Sequence, residues 1–205
     1  MLFNSIDFLI FFTLVLIGIY LIKIKKFQHI FLLVASYFFF YYSNNYLILL
    51  LIYSTIIDFY LGKAIYNTTS IQKKKILLIA SLAGNLGLLG FYKYSDFAIL
   101  QFNILGNSID LAHEIPLLNI ALPVGISFYT FQTISYTIDI YRKKLEPSDS
   151  FWEFALFVSF FPQLVAGPIV RASEFLPQLR EKIENIHFKN NLKQIVIGNS
   201  NLKLG

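Results

Sequence analysis

The sequence has no cysteine, one methionine, one tryptophan and three histidines among 205 residues. Without cysteine there is no disulfide framework, no thiolate metal site and no cysteine nucleophile. Charged residues make up only 14%, whereas a soluble domain carries about 25%. The opening Met1-Leu2-Phe3-Asn4-Ser5-Ile6-Asp7 lacks a basic start, and no small-residue cleavage site follows the first apolar run. That run is therefore expected to be a retained span and not a cleavable signal.

Apolar and aromatic residues fill the space that charge leaves. The chain is 56% hydrophobic, with 22 Phe and 13 Tyr and a mean hydropathy of +0.61. This composition belongs to membrane proteins. The formal net charge of +5 does not point to nucleic acid, because the basic residues sit in short runs between apolar segments, as in cytoplasmic membrane loops. The predicted fold class is all-α. It is a polytopic helical membrane protein with about six spanning or re-entrant helices plus interfacial helices, forming one membrane domain over residues 1–205 in contact with the lipid bilayer.

The expected spans are residues 6–22, 27–42, 46–66, 76–92, 123–141 and 151–165, followed by an amphipathic tail over 172–205. Lys23, Lys25 and Lys26 follow the first span, Lys73, Lys74 and Lys75 the third, and Arg142, Lys143 and Lys144 the fifth. By the positive-inside rule these loops are cytoplasmic and the N-terminus lies outside, in a multi-pass protein of the inner membrane. A strict six-span count would put the charged tail outside, which makes the segment ending at Pro162 a candidate re-entrant helix.

Several polar residues interrupt the pattern. Asp58 falls near the end of the third span, where interfacial water or Lys63 is expected to satisfy it. Gly84, Gly87 and Gly90, with Asn85, are expected to admit a close helix neighbour. Residues 93–121 are mixed and are expected to form a surface loop with one short interfacial helix. Pro123 suits a first helical turn. In the fifth span Phe128, Gln132, Ser135 and Asp139 share one helical stripe. Thr130, Thr133 and Thr137 lie on another side, where their hydroxyls can bond back to carbonyls one turn earlier. Ser150 with Glu153 reads as a capping box, and Pro162 and Gly167-Pro168 should break the chain.

Two stretches concentrate the polar and backbone-special residues. The first is Leu122-Pro123-Val124-Gly125-Ile126-Ser127-Phe128-Tyr129-Thr130-Phe131-Gln132, with Ser135-Tyr136 and Asp139-Ile140-Tyr141-Arg142. The second is Phe161-Pro162-Gln163-Leu164-Val165-Ala166-Gly167-Pro168-Ile169-Val170-Arg171. The candidate site residues are Pro123, Gly125, Gln132, Asp139, Arg142, Pro162, Gly167, Pro168 and Arg171. The prolines and glycines serve most simply as backbone devices. Gln132, Asp139 and Arg142 could form a buried network, and Gln132 and Arg171 could line a substrate path.

Both stretches resemble the membrane-bound O-acyltransferase family, in the branch of the alginate O-acetylation protein and the teichoic acid D-alanyl transferase. Met1-Leu2-Phe3-Asn4-Ser5 with Phe8-Leu9, and Gly90-Phe91-Tyr92-Lys93-Tyr94, add to the likeness. The resemblance implies transfer of an acyl group, acetyl above all, to hydroxyls of an extracytoplasmic polysaccharide. It also implies an acyl thioester donor from the cytoplasm, an intramembrane His as general base and no bound cofactor. His29, His113 and His187 match none of the family's His positions, so no catalytic residue carries over. The chain is therefore expected to be an N-terminal portion of such an enzyme, inactive alone and partnered by the remaining half or by other polysaccharide-acetylation proteins. The alternatives are a non-catalytic scaffold, a subunit of a split acyltransferase, or a transporter.

Overall fold

The structure, a computed structural model, describes residues 5–108, 114–166 and 170–180. The described residues form eight α-helices. Helix α1 is Ile6–Leu21, capped by Ser5, whose side chain accepts from the Phe8 amide. Helix α2 is Lys25–Asn44. A 3₁₀ turn over Asn45–Leu47 leads into α3, Ile48–Asn67. Helix α4 is Ile71–Ser108, α5 is Ile126–Tyr141 and α6 is Phe151–Ser159. Helices α7, Phe161–Ala166, and α8, Ala172–Arg180, follow.

Two helical runs, Lys25–Asn67 and Ile71–Ser108, are long and apolar enough to cross a membrane. Helix α1 is apolar but shorter. Helix α6 has nine residues, about 14 Å at 1.5 Å per residue, which is less than half of a hydrocarbon core of about 30 Å. Helix α6 is therefore too short to span by itself.

Helix α4 shows the lipid setting in its own side chains. It buries Ser81, Asn85, Leu89 and Gly106 and exposes Ile76, Ile79, Leu86, Phe91 and Phe97. In water that arrangement would be upside down; against lipid, polar groups belong inside and apolar ones outside.

The packing fixes helix directions. Gly62 of α3 lies against Tyr136 and Ile140 of α5, and Asp58 lies one turn earlier against α4, so α3 and α5 run parallel and α4 packs antiparallel against both. Leu33 clusters with Ala155 and Leu156, and the Phe161 amide donates to Ser36 Oγ at 3.3 Å, so α2 and α6 also run parallel. Helix α8 returns along α6, with Phe175 ring centroids 5.5 Å from Phe157 and 5.3 Å from Phe160. Leu179 then reaches the cleft that holds Lys25, His29 and Glu153. The segment from Ser150 thus enters and leaves at one end of the bundle. The ends of α3 and α5 reach that same end, where the basic clusters flank the helices: Lys63 Nζ donates to the Asp149 carbonyl at 3.3 Å, and Tyr66 Oη bonds Glu146 at 3.3 Å.

Four expectations are corrected. Residues 93–108 are not a loop but the continuation of α4; only the part from Glu114 runs extended beside it. Asp96 accepts from the Leu118 and Asn119 amides at 2.8 and 3.1 Å. Asn103 bonds both the amide and the carbonyl of Ile115. The polar residues that looked like loop are the clips holding this strap. Second, helix α5 starts at Ile126, with Pro123 ahead of it in a turn closed by the Ile126 amide on the Pro123 carbonyl. Third, the break between α6 and α7 falls at Phe160, and Pro162 sits in the first turn of α7, where its missing N–H costs nothing. Fourth, a Cβ at Gly87 or Gly90 would meet nothing within 4 Å, and one at Gly84 only Tyr53 Oη at 4.0 Å, so these glycines admit no close neighbour. Gly62 does, since a Cβ there would lie 2.8 Å from Tyr136 Cε1. Gly18 does so against the Phe31 ring.

The cap expected at Ser150 is present, and Gln28 adds one that the sequence reading does not include. Ser150 Oγ accepts from the Glu153 amide at 3.4 Å. Gln28 Nε2 reaches back from α2 to the Ile19 and Ile22 carbonyls at 3.2 and 2.6 Å, which satisfies the C-terminus of α1.

A buried polar junction as candidate site

Asp58 is completely buried in α3, not hydrated at an interface as expected. Lys63 does not meet it; the ammonium lies 4.3 Å from the Phe59 ring centroid and bonds Asp149 instead. Both carboxylate oxygens are taken by α4. Ser81 Oγ donates to Oδ1 at 2.5 Å, and Asn85 Nδ2 to Oδ2 at 2.7 Å. Asn85 also donates to the Ser81 carbonyl at 3.0 Å, which orients the amide.

Helix α5 closes the cluster. Thr137 Oγ1 is 3.2 Å from Ser81 Oγ, and Thr133 Oγ1 donates to Asn85 Oδ1 at 3.4 Å. Thr133 bonds back to the Thr130 carbonyl at 3.1 Å, and Thr137 to those of Thr133 and Ile134 at 3.3 and 3.1 Å, as the sequence predicts. A carboxyl, an amide and three hydroxyls therefore join three helices without a cation. Such a group is costly in lipid unless fully satisfied. Chemically the junction can hold a proton on a line of hydroxyls from Asp58 through Ser81 to Thr137. It also fixes the register of α5, the helix that carries most of the first of the two polar stretches.

The predicted site residues fall in different places. Gly125 is the N-cap of α5 at φ 82 and ψ −1, a left-handed conformation that glycine adopts without cost. The turn before it is pinned by Asn44 of α2, whose Oδ1 accepts from the Val124 amide at 2.6 Å. Gln132 is buried, and its Oε1 has no hydrogen-bond partner among the described residues. The same holds for Tyr129 Oη on α5 and Ser54 Oγ on α3. Asp139 is buried near the end of α5, and its backbone carbonyl accepts from the Lys144 amide at 2.9 Å. Arg142 is the exposed C-cap. Among the described residues no hydrogen bond links Gln132, Asp139 and Arg142, so the three-residue network is not formed. Arg171 is exposed ahead of α8, its carbonyl accepting from the Glu174 and Phe175 amides. Gly167 and Pro168 lie outside the described residues, as do His113, His187 and the tail beyond Arg180. His29 is half-buried near the start of α2.

Sequence reasoning singles out Asp58 but assigns it to water or Lys63, and passes over Ser81 and their partnership. A signal was present: Asp58 and Ser81 stand at nearly equal distances either side of the turn at 68–70, so an antiparallel hairpin brings them level.

No protein-family model matches the chain, and no solved structure matches it. Curated relatives do. The chain is 36% identical over 153 residues to a peptidoglycan O-acetyltransferase of Helicobacter pylori, covering 63% of this chain and 28% of that protein. It is 33% identical over 190 residues to a probable alginate O-acetylase of Pseudomonas aeruginosa, covering 91% of this chain and 36% of the relative. With the corresponding protein of Pseudomonas putida the identity is 31% over 188 residues, covering 91% and 38%. The chain spans about a third of the length of the curated relatives it matches. Over nine-tenths of its own length, then, the chain is a homologue of membrane-bound O-acyltransferase family proteins named for the O-acetylation of alginate, and over a shorter stretch of one named for peptidoglycan.

Proposed function

We propose that this chain forms the N-terminal part of a membrane O-acetyltransferase acting on an extracytoplasmic polysaccharide. The observation that carries the proposal is the alignment of 91% of the chain with the alginate O-acetylases. In the reaction the polysaccharide hydroxyl oxygen bonds to the acyl carbonyl carbon of a thioester donor. The carbon–sulfur bond breaks, and the hydroxyl proton passes through a base to the departing thiol. The family's histidine base corresponds to no position in this chain. In this proposal it comes from outside these 205 residues, and the chain supplies helix scaffold and part of the substrate path. Gln132 supports that role, because its buried Oε1 retains unused hydrogen-bonding capacity. The common end of the three basic clusters is cytoplasmic and the N-terminus external, in the inner membrane.

The test is acetyl-ester formation on alginate or peptidoglycan in membranes containing the chain alone, or the chain with a polypeptide covering the rest of a relative. Ester is expected only with both. Robust ester formation by the chain alone overturns the proposed division of labour. Co-purification with no ester under either condition favours a non-catalytic scaffold.

A further inference from the structure

At the basic end of the bundle, a cleft of about 420 Å³ opens between the starts of α2 and α6. Lys25, Lys26, His29, Trp152 and Glu153 line it, with Ile30 and Leu179 among its apolar walls. Ile30 is shared with a second cleft of about 500 Å³, whose lining includes Phe27, Phe31 and Ile22. One continuous surface therefore passes from a cationic mouth to an apolar crease.

We infer that this pair of clefts is a binding site for an anionic phospholipid, with the headgroup phosphate at Lys25, Lys26 and His29 and an acyl chain along Ile30, Phe27 and Phe31. Three observations favour a lipid. The wall carries two lysines against one carboxylate, Glu153, so its charge is net positive. Two helix N-termini face the cleft, that of α2, where Ile24 provides no side-chain cap, and that of α6; both present positive dipole ends. Trp152, the chain's only tryptophan, is 57% exposed at the rim, where indole rings sit at headgroup level. Basic pockets at the ends of membrane helices bind lipid headgroups in this way.

The single tryptophan makes the site directly readable. The 205-residue chain is reconstituted in vesicles, and quenching of Trp152 is measured with brominated phosphatidylglycerol or brominated phosphatidylcholine. The anionic lipid is expected to quench at a mole fraction lower by roughly fivefold or more, about fivefold being the contribution of one lysine. Lys25→Gln with Lys26→Gln should bring the two lipids within about twofold, whereas Glu153→Gln should widen the difference. Lys73→Gln with Lys75→Gln removes equal charge at the same end of the bundle and should leave the preference intact. Equal quenching in the unmodified chain, or equal loss in both double variants, overturns the proposal. Displacement of the anionic lipid by millimolar inorganic phosphate also overturns it, by making free phosphate the ligand.

Discussion

An acid inside an apolar bundle must be neutralised or solvated by its neighbours, and Asp58 is served by Ser81 and Asn85 of α4, with Thr133 of α5 also bonding it. Removing the carboxyl leaves two buried donors unpaired at once. Asp58→Ala should therefore lower the unfolding free energy by about 2–3 kcal/mol. Ser81→Ala should cost less, about 0.6–1.7 kcal/mol, the range found for interhelical hydrogen bonds in membranes. Denaturant titration in detergent micelles measures both, and an Asp58→Ala chain as stable as the parent would mean that this junction does not hold the helices. Some residue roles were legible beforehand. Ser150 caps as a serine two residues before Trp152-Glu153 should, and the threonines of α5 bond back as threonines in apolar helices do. Asp58 was not legible because its position near Lys63 offered a simpler partner along the chain. Only the hairpin, a tertiary fact, supplied the one it has.

Among the elements, α6 is the one whose depth the sequence leaves open. It was legible as an apolar helix with a cap and a breaker, but its depth was not, because a nine-residue helix and a longer spanning one can start from the same apolar run. Packing decides: Phe161 docks on Phe11 and Phe39 of α1 and α2, and α8 comes back along α6. This predicts that α8 and the 142–150 loop lie on one side of the membrane. The absence of cysteine makes the test clean. Cysteines introduced singly at Glu146 and Gln178 should react with an impermeant maleimide from the same side of sealed vesicles, and one at Tyr46 from the opposite side. Labelling of Gln178→Cys from the Tyr46 side would rule out the re-entrant path. The continuation of α4 past Tyr92 had left a trace as well. Asp96, Asn103 and Asn107 are spaced seven and four apart, as on one helical stripe; their polarity alone reads as a loop, because the sequence does not display the strap they bond.

At the scale of the molecule, α4 is out of proportion to a bilayer. Its 38 residues span about 57 Å. Fitting that length into about 30 Å would need a tilt near 60°, beyond the usual range of about 0–40°. Its far part therefore extends past the hydrocarbon core, with the strap over residues 114–119 clipped to it. Asp96→Ala should release the clip: amide exchange at Leu118 and Asn119 should accelerate by roughly tenfold or more, as for a lost hydrogen bond to a charged group. Exchange that stays unchanged would show that the strap is held by other contacts.

The buried junction also bears on how the protein is made. Asp58, Ser81 and Asn85 all lie on one hairpin, whereas Thr133 and Thr137 come from a helix translated later. As the nascent chain leaves the ribosome, the carboxyl finds both of its α4 donors while α5 is still being synthesised. The hairpin can thus enter the membrane with its acid already shielded, ready for α5 to dock in register.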